Sequence, residues 1–398
     1  MRFALAGYGG RGDIEPLAAL GRELQRRGHE VCTGVTSTLV DFVQSVGLAA
    51  VAYGPDPQAR AGEDFSPDAA NQNPVSAVVE FMERLPHAMA EWGATLTALA
   101  NGADLLLVLP DEQELAANVA EYYGIPLATL QHLPRGYVRP GCVIGQIMKD
   151  AEDTHRRALG LPEATGPETR RASLEIHAYE SFYFPERAAE WAEQSGRRKF
   201  VGALTLELPT DADDEVLSWI AEGTPPIYFG FGSMPIPSPA ETVAVISAAC
   251  AQLGERALIC SGSSHFTDIP HFNNIKVLSF VNFAVAFPAC RAVVHHGGAG
   301  TMAAGMRAGV PTLILWFSWL SVDDQPIWAD VVTRLKVGSG RPFSASTLDS
   351  LVADLRSILT PQCVARAREV AAQMTTPAES IASAADLLED TARLGRFG

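Results

Sequence analysis

The sequence predicts an α/β protein built from two doubly wound parallel sheets in tandem. Three observations predict it. Continuous apolar runs such as Asp104 to Leu109 read as strands covered on both faces. Amphipathic segments of helical period alternate with those runs. The alternation breaks in an acidic, proline-containing stretch after residue 205 and restarts at Pro226.

In the first half, Phe3 to Ala6 is a strand, and Glu15 to Arg27 is a helix with Leu17, Leu20 and Leu24 on one face. Gly28 stops that helix before the strand His29 to Val35. Leu39 to Val46 is helix, Gly47 its cap, and Ala49 to Tyr53 strand. Pro55 to Pro74 is rich in Pro, Asp, Ala, Gln and Asn and is expected as a mobile surface loop. Val75 to Asn101 reads as a long helix containing Pro86, Glu114 to Tyr123 as a helix and Pro126 to Gln131 as a strand. Pro134 to Ala172 reads as irregular and partly helical, with short strands expected at Phe182 to Pro185 and Phe200 to Gly202.

The second half repeats the pattern without a detectable sequence repeat. Pro226 to Ser233 is a strand and glycine turn, and Ala240 to Leu253 a helix. Arg256 to Ser261, Ile275 to Leu278, Ala292 to His295 and Thr312 to Leu315 are further strands. The boundaries expected are a first domain over residues 1–205, a linker over 206–224, a second domain over 225–376 and a helical tail over 377–398. Ligands in such sheets bind at the carboxyl ends of the strands. Two halves facing one another form a cleft with a glycine loop on each wall.

Bulk composition narrows the function. The chain has 398 residues, 47% hydrophobic and 19% charged, as expected of a soluble globular enzyme. A net charge of −16 argues against a nucleic-acid partner. The six cysteines (Cys32, Cys142, Cys250, Cys260, Cys290, Cys363) are scattered, with no C-x-x-C pair, which implies reduced thiols and no structural zinc. Met1 to Ala6 is too short for a signal peptide, and no apolar run approaches the ~18 residues of a membrane span. A cytoplasmic protein is expected, with peripheral membrane contact left open.

The most informative stretch is His295-His296-Gly297-Gly298-Ala299-Gly300-Thr301, between an apolar strand and a helix expected over Met302 to Ala308. A helix start exposes unpaired N–H groups and a partial positive charge, and glycines let a phosphate approach it. A histidine beside them donates a hydrogen bond, so the chemistry implied is diphosphate recognition. The bland alternative is a tight strand–helix connection. A second turn, Gly7-Tyr8-Gly9-Gly10-Arg11-Gly12, matches the dinucleotide fingerprint G-x-G-x-x-G. Two features speak against that role. Val35-Thr36-Ser37 stands where a ribose-binding acid belongs, and Asp13 stands at the helix entrance, where a carboxylate repels a pyrophosphate. Asp13 instead suits a general base, or simply caps its helix.

Together these residues resemble the family 1 glycosyltransferases of GT-B architecture, the UDP-glycosyltransferase type, in the bacterial branch that acts on antibiotics, sterols and lipids. Gly9 to Pro16 is similar to that branch's first loop, Phe229 to Ser233 to its second-domain glycine–serine turn, and His295 to Thr301 with Asp324-Gln325-Pro326 to its donor signature. Leu115 to Pro126 looks closest to mycobacterial glycopeptidolipid glycosyltransferases. The resemblance spans nearly the whole chain.

The resemblance implies roles. Gly12, Ser233, His296, Gly298, Ala299, Gly300 and Thr301 bind the donor, chiefly its diphosphate, and Phe280 and Val281 contact the nucleobase. Asp324 and Gln325 bond the sugar hydroxyls, and Asp13 deprotonates the acceptor. Arg11, Asp111, Glu112 and His132 are candidates to contact the acceptor, with His132 equally a satisfied core histidine. The tail helix packs back on the first domain. The family inverts the anomeric centre in one displacement and uses no metal and no cofactor, the UDP- or TDP-sugar being a co-substrate. The acceptor expected is a hydrophobic molecule bearing a hydroxyl: a lipid, glycopeptidolipid or natural product. His295 is read as structural, and Asp211-x-Asp213 as acidic linker rather than a metal pair. The loop carrying Trp316, Phe317, Trp319 and Leu320 is more apolar than the family pattern; its rings either stack on the donor or pack on a neighbouring helix. Asn282-Phe283-Ala284 lacks the polar residues of sterol-acting relatives. The competing functions are an NAD(P)-dependent oxidoreductase using the Gly7–Gly12 turn, a non-catalytic glycosyltransferase-like subunit, and a nucleotide-sugar epimerase.

Overall fold

The computed structural model describes residues 1–56, 74–133, 143–163, 172–192, 196–234, 236, 238–262, 272–317 and 324–395. By contact the chain divides into two units. The first comprises Met1–His132, Gly136–Leu206 and Pro377–Gly398; the second comprises Leu133–Arg135 and Glu207–Thr376.

Among the described residues, the first unit holds seven parallel strands: β1 (Arg2–Gly7), β2 (Glu30–Val35), β3 (Ala50–Ala52), β4 (Leu105–Val108), β5 (Leu127–Gln131), β6 (Leu174–His177) and β7 (Arg198–Phe200), in the order β3-β2-β1-β4-β5-β6-β7. Leu105, Leu106, Leu107 and Val108 are all fully buried, because one apolar cluster covers each face of the sheet. The helix α1 (Arg11–Arg26) buries Leu17, Leu20 and Leu24 in the same cluster as Ala384, Ala385, Leu388 and Ala392 of the terminal helix Pro377–Gly395. Arg27 and His29 fasten that terminal helix through Glu389, His29 Nε2 lying 2.9 Å from its Oε1.

The second unit repeats the plan with β8 (Ile227–Gly230), β9 (Ala257–Cys260), β10 (Ile275–Leu278), β11 (Ala292–His295), β12 (Thr312–Trp316) and β13 (Gly338–Pro342), parallel in the order β10-β9-β8-β11-β12-β13. In each sheet the strand order reverses once, between β1 and β4 and between β8 and β11. Those switch points are where open α/β sheets leave a crevice beyond the strand ends. The turns that carry Asp13 and His296 follow β1 and β11, so topology alone puts each candidate turn at a switch point.

Several expectations need correction. Phe182 to Pro185 is not a strand: it spans a 3₁₀ turn, Ser181–Tyr183, and the start of the helix Pro185–Ala192. The strand lies earlier, at Leu174–His177, where Glu175 and His177 interrupt the apolar pattern. Both are buried because Arg197 and Arg198 pair with Glu175, while Trp191 and Phe200 cover the His177 ring. The stretch 206–224 contains a helix, Asp213–Ala221, whose Val216 and Ile220 enter the second unit's core. β13, of sequence Gly-Ser-Gly-Arg-Pro, has no apolar signal; its glycines fit against β12, where a Cβ on Gly340 would lie 2.9 Å from the Ile314 carbonyl oxygen. Most of the Pro55 to Pro74 loop, Pro134 to Cys142, Trp319 and Leu320 lie outside the described residues.

Candidate active site

Gly10 caps α1 with its backbone, and Asp13 occupies the third position of the first turn rather than the cap. The Asp13 carboxylate is tied at both oxygens. Oδ2 accepts from Gly10 N at 2.7 Å, and Oδ1 lies 2.9 Å from His132 Nε2. The carboxylate closes the helix start from the third position, and its side chain stays 26% exposed.

Two further N–H groups of this turn are occupied as well. Tyr8 N donates to Glu112 Oε1 at 2.9 Å, and Gly9 N donates to Thr36 Oγ1 at 2.8 Å. A Cβ on Gly9 would collide with the Asp13 carboxylate, which is why the turn needs glycine there. A turn whose Tyr8, Gly9 and Gly10 N–H groups are taken by side chains, beside a carboxylate, is not a pyrophosphate cradle. This disfavours the dinucleotide reading. Thr36 was visible in the sequence as the residue standing in place of a ribose-binding acid; its bond to Gly9 was not.

Glu112 is buried at the carboxyl end of β4, and its Oε2 has no hydrogen-bond partner. Burial raises its pKa well above the carboxylate range, helped by Asp111 and Asp13 and opposed by the Tyr8 N–H. Asp111 beside it is exposed. Arg11 reaches back over Phe42, 4.3 Å from the ring centroid, and pairs with Glu15 at 3.2 Å. Gly12 is exposed, with open space where a Cβ would stand. His132 follows β5, and its ring is 4% exposed.

In the second unit three segments meet around His296. A Cβ on Gly298 would lie 2.6 Å from His296 Nε2, and one on Gly232 would lie 2.8 Å from Cε1, so glycines on both sides admit the ring. Gly297 has φ +100, and Gln325 packs against it, with its Cβ 3.0 Å from where a Gly297 Cβ would stand. A side chain at Gly297 fails on both counts. Burial lowers the His296 pKa to about 4, against the pull of the Gly230 backbone, so the ring is neutral at working pH. His295 faces the other way: it is fully buried, its Nδ1 accepts from Gly297 N at 3.0 Å, and burial lowers its pKa to about 3. It shapes the turn from behind, as strand alternation requires.

The helix Ala299–Ala308 begins after Gly298, earlier than expected, and no side chain among the described residues caps it. Its first N–H groups belong to Ala299, Gly300 and Thr301. Gly300 is exposed, and nothing lies within 4 Å of a Cβ built on it. Ser233 is exposed in the turn after β8. Val281 is buried and Phe280 is 58% exposed, their segment held by Asp213 Oδ1 accepting from Asn282 N at 3.0 Å. Sequence reading missed that contact, because the acid lies in the stretch taken for a linker. Asp324 opens the helix Asp324–Leu335. Gln325 spends its amide nearby: Oε1 accepts from Phe317 N at 2.9 Å, and Nε2 lies 3.7 Å from Met234 Sδ. Phe317 stacks on Phe343 at 4.5 Å.

Chemically, the second unit offers an open, uncapped helix start with a neutral histidine, and the first a held carboxylate. Residues 233–390 match the model of the erythromycin biosynthesis protein CIII-like C-terminal domain. The chain is 55% identical to an uncharacterized glycosyltransferase of Mycobacterium tuberculosis (strain ATCC 25618 / H37Rv), over 100% of both chains. It belongs to the family 1 glycosyltransferases. Solved structures show the same GT-B fold of two Rossmann-like domains. The calicheamicin glycosyltransferase CalG4 aligns at TM-score 0.71 and 17% identity, over 98% of each chain. The glycosyltransferase VinC, in complex with DTDP, aligns at TM-score 0.68 and 20% identity over 100% of each. The protein is thus a glycosyltransferase. No helix among the described residues is long and apolar enough to cross a membrane.

Proposed function

We propose that this glycosyltransferase moves a hexose or deoxyhexose, with inversion, from a UDP- or TDP-sugar to a hydroxyl of a lipid, glycopeptidolipid or natural-product acceptor. The observation that carries the donor assignment is the uncapped helix start at Gly298, at the β8/β11 switch point. Gly300, open to space, has no packing reason to be glycine, and a helix is weakened by it. A ligand that approaches the backbone supplies the reason. A DTDP complex of the structural relative VinC supports a nucleoside diphosphate as that ligand.

In the reaction proposed, Asp13 takes the acceptor hydroxyl proton as the oxygen attacks the anomeric carbon. The carbon–oxygen bond to the diphosphate breaks, and the departing phosphate keeps the electron pair. The N–H groups of Ala299, Gly300 and Thr301, with the His296 ring and the Ser233 hydroxyl, stabilise that charge in place of a divalent cation. Phe280 offers an exposed face to the nucleobase beside Val281, and Asp324 and Gln325 orient the sugar. Gly12, Arg11 and Asp111 border the acceptor side. For a lipid acceptor the enzyme works from the cytoplasm in peripheral contact with the membrane.

The test is a thermal-shift screen of UDP- and TDP-sugars, followed by nucleotide-release assays with and without EDTA. A specific donor at about 100 times its Kd adds roughly 2.7 kcal/mol of stability. No shift with either series, or a strict requirement for added metal, overturns the proposal.

A further inference from the structure

We propose that His132 is a positioning residue, which holds the Asp13 carboxylate in one orientation for proton abstraction. This rests on the assignment of Asp13 as base. Asp13 sits on an exposed helix turn, and its carboxylate can rotate unless both oxygens are held. Gly10 N holds Oδ2 at 2.7 Å, and His132 Nε2 holds Oδ1 at 2.9 Å across 119 residues of sequence. The two ties differ in kind. Gly10 belongs to the same turn and moves with it, whereas His132 is anchored at the end of β5, with its ring 4% exposed. A ring closed in by packing does not swing, so it fixes the carboxylate relative to the sheet.

The protonation state follows from the surroundings. His132 Nδ1 is buried and has no hydrogen-bond partner among the described residues. A proton there would be an unpaired buried donor, and Nε2 without a proton would turn its lone pair on a carboxylate. A ring proton on Nε2 is the one that fits, and it donates to Oδ1. In the displacement the proton goes from the acceptor hydroxyl to Asp13 and stops there. His132 gains none, since its facing nitrogen already carries one.

The experiment compares wild type with His132→Ala, His132→Gln and Asp13→Asn. ¹⁵N-histidine NMR reads the tautomer, and UDP and TDP release from the glucose nucleotides, with octyl glucoside as the alcohol, reads turnover. The expected results are a His132 proton on Nε2, a kcat about 10- to 100-fold lower for His132→Ala with donor KM unchanged, and recovery of most of that loss in His132→Gln, whose amide reaches the same carboxylate. A proton on Nδ1, or an unchanged kcat in His132→Ala while Asp13→Asn is inactive, overturns the positioning role alone. If His132→Gln is as dead as Asp13→Asn, the imidazole is itself the proton acceptor and the proposal is wrong. Full turnover in Asp13→Asn defeats the base assignment instead.

Discussion

Two strand–glycine–helix turns, one after β1 and one after β11, start from nearly the same local sequence logic and end with opposite chemistry. In the first, Tyr8, Gly9 and Gly10 donate their N–H groups to Glu112, Thr36 and Asp13. The positive end of α1 is filled by the protein itself, and what the turn presents is a carboxylate. In the second, no side chain caps the helix that begins after Gly298, and its neighbouring histidines are neutral. What that turn presents is a set of N–H donors with a partial positive charge. A glycine motif therefore does not specify a phosphate site. The decisive feature is whether a side chain within reach has already taken the donors.

The largest effects separate the two turns by function. Asp13→Asn is expected to lower turnover about 10²- to 10⁴-fold, the usual scale for losing a general base, with nucleotide affinity nearly unchanged. Steady-state kinetics with a nucleotide titration checks it, and a parallel loss of nucleotide binding would show that the first turn also holds the donor. His296→Ala should do the reverse, weakening donor binding by roughly 1–3 kcal/mol, the scale of a hydrogen bond to a charged group. Calorimetric titration of UDP and TDP reads it; equal affinity for both proteins removes His296 from the diphosphate site.

The turns should also differ in acid and alkaline stability. His296 titrates near 4 in the fold against 6.5 unfolded, so between those values the unfolded chain binds more protons. Stability is then lost as pH falls below about 6.5, by up to roughly 1.4 kcal/mol per unit for such a group. Glu112 is opposite: its raised pKa means the fold keeps a proton that the unfolded chain releases above 4.5, so stability is lost as pH rises. Thermal unfolding from pH 5 to 8 should show His296→Gln helping most at pH 5 and Glu112→Gln helping most at pH 8. The same profile for both variants would contradict the burial argument.

The sequence revealed the fold because parallel strands buried on both faces leave continuous apolar runs, as at Leu105–Val108 and Ala292–His295. It failed where long-range partners do the stabilising: Glu175 and His177 in β6 depend on Arg198 and Trp191, and β13 depends on close approach to β12. The site was legible at the level of turns. The alternation of strand residues separated His295 from His296, and the misplaced carboxylate marked the first turn as unusual. What sequence spacing could not show was which groups saturate which donors. The bonds from Gly9 to Thr36, Tyr8 to Glu112 and Asp13 to His132 join residues 27, 104 and 119 apart.

The smallest effects sharpen the comparison most, because they change one methyl group. Gly12 and Gly300 each occupy the second position of their helix, neither has a positive φ, and each faces open space where a Cβ would stand. Alanine fits both folds and is the better helix former, by up to about 1 kcal/mol. Both Gly12→Ala and Gly300→Ala should therefore raise Tm by a few degrees at most, roughly 2–4 °C per kcal/mol for a unit of this size. The variants should part company on ligand. A methyl at Gly300 intrudes where the diphosphate is proposed to lie against the helix start, so donor affinity falls, and by more than in Gly12→Ala, whose turn offers no open cradle. If Gly300→Ala gains stability and binds UDP and TDP as tightly as before, the second turn is a tight connection and the contrast between the two turns disappears.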